Sequence, residues 1–142
     1  RGENVYSMIN GKVIASGYNP IYGQYVEVQA NNSECNIMIA SATGEKYQIT
    51  GMRMIYGYLQ SPEYGGKSWS IGSSVTTDTV LGTVGSTGRS QGRQLYISMY
   101  VQCNILDIND EVIGTIGWTP VDLEPYFTTF FGTGSNYIVS YD

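Results

Sequence analysis

The sequence predicts an all-β domain, and three observations carry that prediction. Eighteen Gly and thirteen Tyr accompany many Val, Ile and Thr, the residues of pleated strands and tight turns. No long Leu/Ala/Glu/Lys-rich stretch offers a helix. Apolar residues recur in alternation or in short runs bounded by Gly, Asn, Asp and Pro. With 142 residues, 42% apolar and 13% charged, the chain is long enough to bury one core as a single domain over residues 1–142, and too short for two.

The elements follow in order. The apolar run from Tyr6 to Ile14 is broken by Asn10-Gly11, a two-residue turn signal that predicts a hairpin with Val5 and Val13 in its arms. From Tyr22 to Val28 bulky apolar and polar residues alternate with the period of a half-buried strand. Ile37 to Ala40 reads as its neighbour after the Asn31-Asn32-Ser33 turn, and Ala42-Thr-Gly-Glu45 as another turn before a strand from Met52 to Leu59. Ser61 to Lys67 is a loop by composition. Ile71, Val75, Asp78, Val80-Leu81-Gly82 and Val84-Gly85 keep a rhythm of short strands and tight turns that leads into a strand from Gln94 to Gln102. Asp107 to Glu111 is a turn, Val112 to Trp118 a strand, and Thr119-Pro-Val-Asp122 a helical start with Pro near its first position.

Composition also excludes functions. The net charge is −5 and the seven basic residues are scattered, so nucleic acid has no electrostatic footprint to bind. No stretch approaches the roughly 18 consecutive apolar residues of a spanning helix. Cys35 and Cys103 allow one intramolecular pairing, and two readings stand: two buried free thiols acting as small hydrophobes, or a disulfide. With no Cys-x-x-Cys and no His anywhere, a cysteine-based zinc site and a Cys/His nucleophile are excluded. Asp107-x-Asn109-Asp110-Glu111 lacks the sixth-position Gly and twelfth-position Glu of a calcium loop, and reads as a solvated turn. The glycines from Gly82 to Gly88 precede neither Gly-Lys-Ser/Thr nor a helical pattern, so they read as turn glycines rather than a phosphate loop.

One segment is more specific. Gly85-Ser-Thr-Gly-Arg-Ser-Gln-Gly-Arg-Gln-Leu-Tyr-Ile97 resembles the site strand of the LytM/lysostaphin-type zinc endopeptidases, G-x-T-G-x-S-T-G-P-H-L-H. Gly85, Thr87, Gly88, Ser90 and Gly92 stand where that family has them, while Gln94 and Tyr96 hold the two histidine positions. Tyr56-Gly-Tyr-Leu59 falls where the family has Y-x-H-L, with Tyr58 in the histidine's place. Gly2 to Gly17, Tyr22 to Val28, Ile71 to Gly85 and Thr119 to Leu123 are similar to further family segments. The resemblance therefore covers about residues 2–126 and leaves 127–142 as a C-terminal extension.

The resemblance implies an antiparallel β-sheet platform, or sandwich, with a long groove that holds zinc in active relatives. It implies that Tyr58, Gln94 and Tyr96 occupy former zinc or catalytic positions, that two further ligands lie ahead of Arg1, and that no zinc or other cofactor is bound. The aromatic and hydroxyl groups left behind suit sugar or peptide contact, with Tyr56, Thr87, Ser90 and Arg93 as groove candidates. The expected function is a catalytically inactive peptidase-like domain, a structural or protein-interaction module of a cell-envelope, phage or secretion assembly. Binding of peptidoglycan peptides through the retained groove is the alternative, and an active cell-wall endopeptidase a more distant third. The implied location is extracytoplasmic or in a virion, of bacterial or phage origin. A missing first strand would expose an edge near residues 4 to 16 to pairing with another chain.

Overall fold

The computed structural model describes residues 3–35, 37–40, 44–121, 131–133 and 136–140. The protein is all-β: the described residues form strands β1 (Asn4–Tyr6), β2 (Gly11–Asn19), β3 (Gly23–Ala30), β4 (Met38–Ala40), β5 (Lys46–Leu59), β6 (Ser74–Val75), β7 (Val80–Thr83), β8 (Gln94–Leu106), β9 (Val112–Pro120), β10 (Phe131–Thr133) and β11 (Asn136–Ser140), with 3-10 turns at Asn32–Cys35 and Pro62–Tyr64. Nine strands form one antiparallel sheet in the order β10-β11-β8-β5-β3-β2-β6, with β4 added to β5 and β9 to β8, while β1 and β7 form a separate ribbon. The long β5–β8 pair is the spine, running from Lys46↔Leu106 to Gly57↔Tyr96 with one shift of register between Ile49 and Gly51. Each spine strand shares its outer side between two partners. Along β5 these are β3 and β4, and along β8 they are β11 and β9. Among the described residues no helix is long and apolar enough to cross a membrane.

The two sheet faces bury different chemistry. One packs Val13, Val26, Val28, Met52, Met54, Tyr56, Leu95 and Ile97 against Val5 and Leu81 of the ribbon, with Ile9, Val75 and Val84 between. The other gathers Ile55, Tyr58 and Tyr96, with Tyr22, Tyr25, Tyr100 and Ile138 against them. Alternation puts successive side chains on opposite faces, so both faces are written into the same strands.

Several expected elements fall elsewhere. The hairpin at Asn10-Gly11 does not form, because β1 pairs with β7 and β2 with β3. Gly11 serves a close approach instead of a turn, since a Cβ there would lie 2.0 Å from the Gln29 carbonyl oxygen. The expected strand from Ile37 to Ala40 pairs with β5 rather than β3. The 3-10 turn at Asn32–Cys35 carries the chain past β3, and the Ile49 N–H donates to the Ile37 carbonyl at 3.0 Å. β5 begins six residues before Met52, at Lys46, and β8 continues past Gln102 to Leu106, where the two strands pair with each other. Thr119-Pro120 ends β9 instead of starting a helix. Pro is tolerated there because, among the described residues, β9 pairs on one side alone, so its missing N–H interrupts no second ladder.

The edge expected near residues 4 to 16 is largely paired. β7 pairs with residues 4–6 and β6 with Gly11 and Lys12, and among the described residues one side of β2 has no strand partner beyond Val13. Cys35 and Cys103 are free and buried, so the disulfide reading is not realised and both thiols pack as small hydrophobes in the core. Ala42 and Thr43 of the Ala42-to-Glu45 turn and the Asp122-Leu123 end of the closing segment lie outside the described residues. Within the expected C-terminal extension, β11 continues the sheet beyond β8.

Candidate functional site

The Gly85-to-Gly92 segment is built for backbone contact. Thr87 Oγ1 donates to the Leu59 carbonyl at 2.7 Å and accepts the Gln24 N–H at 3.0 Å, which clamps the end of β5 to the start of β3. Gly88, at φ 68°, lies against Gly23, at φ 65°, so closely that a Cβ on Gly88 would sit 2.3 Å from the Gly23 nitrogen. Arg89 N–H then donates to the Ile21 carbonyl at 3.0 Å. Both glycines combine a left-handed backbone with a contact that no side chain allows. Thr87 is therefore a clamp whose hydroxyl is committed to the backbone.

Tyr58, Gln94 and Tyr96, the positions that the resemblance assigned to zinc or catalysis, share one sheet face. Gln94, Tyr96 and Ser98 alternate along β8, and the Tyr58 and Tyr96 rings meet edge to face with centroids 5.6 Å apart. Tyr22 stacks on Tyr96 at 5.1 Å and receives Tyr25 edge-on at 5.1 Å. Tyr58 reaches this face through a bulge in β5, where Val26 pairs Tyr56 but Gln24 pairs Leu59. Its backbone sits at φ 61°, a strained conformation for a bulky residue, costing about 1–3 kcal/mol. The 2.6 Å bond from its N–H to the Tyr22 carbonyl helps hold it there. Gly57 makes room for that bond, since a Cβ would lie 2.6 Å from the same carbonyl oxygen.

This environment sets the chemistry of the phenols. Burial pushes the Tyr58 phenol above its ordinary value, against a downward pull from Arg89. Burial also raises Tyr96, with Tyr100, Tyr22 and Tyr58 adding to the rise while the neighbouring Ser98 hydroxyl lowers it. Tyr22 is raised by burial, then by Tyr25, Glu27 and Tyr100. All three hold their protons at neutral pH, so none offers a phenolate to a metal. Gln94 Oε1 accepts the Gln91 N–H at 2.9 Å and lies 3.3 Å from Ser90 Oγ, which itself donates to the Gly92 carbonyl. Gln94 and Ser90 thus brace the loop. The donor set at Tyr58, Gln94 and Tyr96 does not suit a zinc ion.

Tyr56, expected in the groove, belongs to the opposite face. It is 1% exposed within the main core, accepts the Met8 N–H at 2.8 Å and contacts Met54 Sδ at 3.4 Å. Burial pushes its phenol up to about 12 despite the bonds from Met8 and Ser7. The bulge explains the correction, because simple alternation puts Tyr56 and Tyr58 on one face and the extra residue parts them.

The tyrosine face continues into a charged and aromatic patch absent from the sequence expectations. Arg53 lies 3.4 Å from the Glu27 carboxylate, 4.4 Å from the Trp118 ring centre and 5.4 Å from that of Tyr100. Gly51 leaves room for Trp118, whose ring edge would otherwise meet a Cβ at 2.8 Å. Burial raises the Glu27 carboxyl while Arg53 lowers it. The alternation Arg53-x-Ile55 and Tyr96-x-Ser98-x-Tyr100 was available as a signal, but pairing Arg53 with Trp118 requires β9 to lie beside β8.

Thr87 and Arg93 do line a cavity, though not with Tyr58 and Tyr96. It is a cleft of about 340 Å³ bounded by Gln60, Ser61, Tyr64 and the Val84-to-Thr87 segment, with Arg93 at one side. Arg93 Nη2 holds both Glu3 carboxylate oxygens, at 2.9 and 3.1 Å. The Asp107 turn uses its own carboxylate to accept the Asn109 and Glu111 N–H groups, as a tight turn does. No protein-family model matches the chain, and no curated protein matches it in sequence.

Proposed function

We propose that the chain is a catalytically inactive, peptidase-like domain that serves as a structural or protein-interaction module of a cell-envelope, phage or secretion assembly. The observation that carries this reading is the state of Tyr58, Gln94 and Tyr96. Two are protonated phenols packed into an aromatic cluster at 5% and 8% exposure, and the third is an amide turned back onto its own loop. Such groups supply neither metal ligation nor general-base chemistry at neutral pH. Side chains packed this closely favour a scaffold over a peptide-binding module. Apolar surface at the far end of the spine suits a protein partner: Ile37, Met38 and Ile39 beside β5, and Ile108, Val112 and Ile113 beside β8, are all exposed.

Two measurements test the reading. Metal analysis of protein equilibrated with zinc and then desalted is expected to give far less than one zinc per chain, and stoichiometric zinc would overturn the proposal. Titration with a sugar-free peptidoglycan stem peptide, followed by amide chemical shifts, is expected to leave Tyr58 and Tyr96 unmoved at millimolar ligand. Saturable shifts there would establish the peptide-binding alternative instead.

A further inference from the structure

The cleft beside the Gly85 segment has a chemistry distinct from the tyrosine face. Ser61 Oγ lies buried in the cleft wall, out of reach of solvent and without a hydrogen-bond partner among the described residues. Tyr64 is 74% exposed at the cleft's edge, an aromatic surface uncovered by the protein. Ser86 adds an exposed hydroxyl. The Arg93–Glu3 pair sets planar donors beside a carboxylate acceptor.

Both walls are fixed in advance. Ser61 O accepts the Tyr64 and Gly66 N–H groups at 3.0 and 2.9 Å, and Gly65 closes the turn in the left-handed region. The Gln60 amide joins them, donating from Nε2 to the Tyr64 carbonyl and accepting from Thr83 Oγ1 at 3.2 Å. Opposite, Gly85 N–H donates to the Tyr58 carbonyl at 2.9 Å and Gly85 O accepts the Gln94 N–H at 3.2 Å. A site whose walls are already ordered loses little entropy when it binds.

We infer that this cleft is a saccharide-binding site that takes a single neutral pyranose unit, with the sugar's apolar face against Tyr64 and its hydroxyls toward Ser86 and the Arg93–Glu3 pair. An exposed aromatic ring next to convergent hydroxyl and planar polar groups is the complement of a sugar, which has one apolar face and a rim of donors and acceptors. The volume, about 340 Å³, lies at the small end of ligand pockets. An anionic ligand is disfavoured, because Glu3 already neutralises Arg93 and the chain carries a net charge of −5.

The test is a titration of the whole chain with glucose, galactose and N-acetylglucosamine in turn, followed by amide shifts. The expected result is a saturable response to at least one sugar at millimolar concentration, confined to Gln60–Tyr64 and Val84–Thr87. Binding should weaken about tenfold or more in both Ser86→Ala and Tyr64→Ala, while the spectrum away from the cleft stays unchanged. No saturable shift with any of the three sugars at tens of millimolar would overturn the inference. So would shifts confined to the tyrosine face, or binding undiminished in both variants. The outcome is independent of the zinc measurement, so this inference and the proposed function fail separately.

Discussion

Tyr56 and Tyr58 are two residues apart on one strand, yet they live on opposite faces of the sheet under different rules. Tyr56 is held as a core residue: fully enclosed, hydrogen-bonded through its hydroxyl, and surrounded by aliphatic side chains. Tyr58 is held by other tyrosines and a strained backbone, on a face that also carries Arg53, Glu27 and Trp118. The inner face is a conventional apolar core. The outer face is an aromatic layer that depends on close backbone approaches at Gly51 and Gly57. Burial of one residue type thus serves stability in one place and shapes a surface in the other.

Truncating the inner tyrosine tests that contrast hardest. Tyr56→Ala should cost about 3–5 kcal/mol, as large aromatic deletions in cores do, measured by urea denaturation. Tyr56→Phe should cost only about 1 kcal/mol, by stranding the Met8 N–H. Equal losses in the two variants would mean that the hydroxyl, not the ring, dominates.

Gly57→Ala is the matching probe of the outer face. Its new methyl would collide with the Tyr22 backbone, so a loss of about 1–3 kcal/mol is expected. Ring-current shifts of Tyr22 and Tyr96 should collapse while those of Val26 and Val28 persist. A change spread evenly over both faces would break the distinction between them.

Alkaline pH should sharpen it. A phenol whose pKa is raised by folding contributes stability that is complete below its unfolded value and is lost as pH rises through the folded one. For Tyr56 that window runs from about 10 to about 12, and the raised Tyr22, Tyr58 and Tyr96 act in the same direction. Stability should therefore fall steeply above pH 10, and Tyr56→Phe should flatten the slope. An unchanged slope in that variant would place the loss on the outer face.

The smallest effect is expected at the surface. Arg93→Ala removes an ion pair between two well-exposed groups, and its cost should stay below about 1 kcal/mol. A larger loss would show that the Glu3 contact anchors β1 to the rest of the chain.

Several features were legible because they depend on neighbours in sequence. The strand from Gln94 onward, the Tyr22 strand and the Asp107 turn follow from alternation and local hydrogen bonding. The Asn10-Gly11 signal misled because Gly there answers to Gln29 on another strand, a contact across eighteen positions. Thr87 and Ser90, expected in a groove, and Gln94, expected at a former zinc position, turn their hydroxyl and amide groups to the backbone and to one another. Ser61 and Tyr64 gave no motif, since a hydroxyl without a partner is a property of the packed state alone.

By itself the sequence determined that the protein is all-β, that no histidine is present to ligate zinc, and which glycines lie on the Gly85 segment. Those properties follow from composition, side-chain chemistry and a period of two. Only the tertiary structure decided which face each tyrosine joined, that Cys35 and Cys103 stay free, and that the open cleft lies apart from Tyr58 and Tyr96. A one-residue bulge reverses the direction of a side chain at a local cost of about 1–3 kcal/mol, and contacts among strands distant in sequence determine whether it is kept.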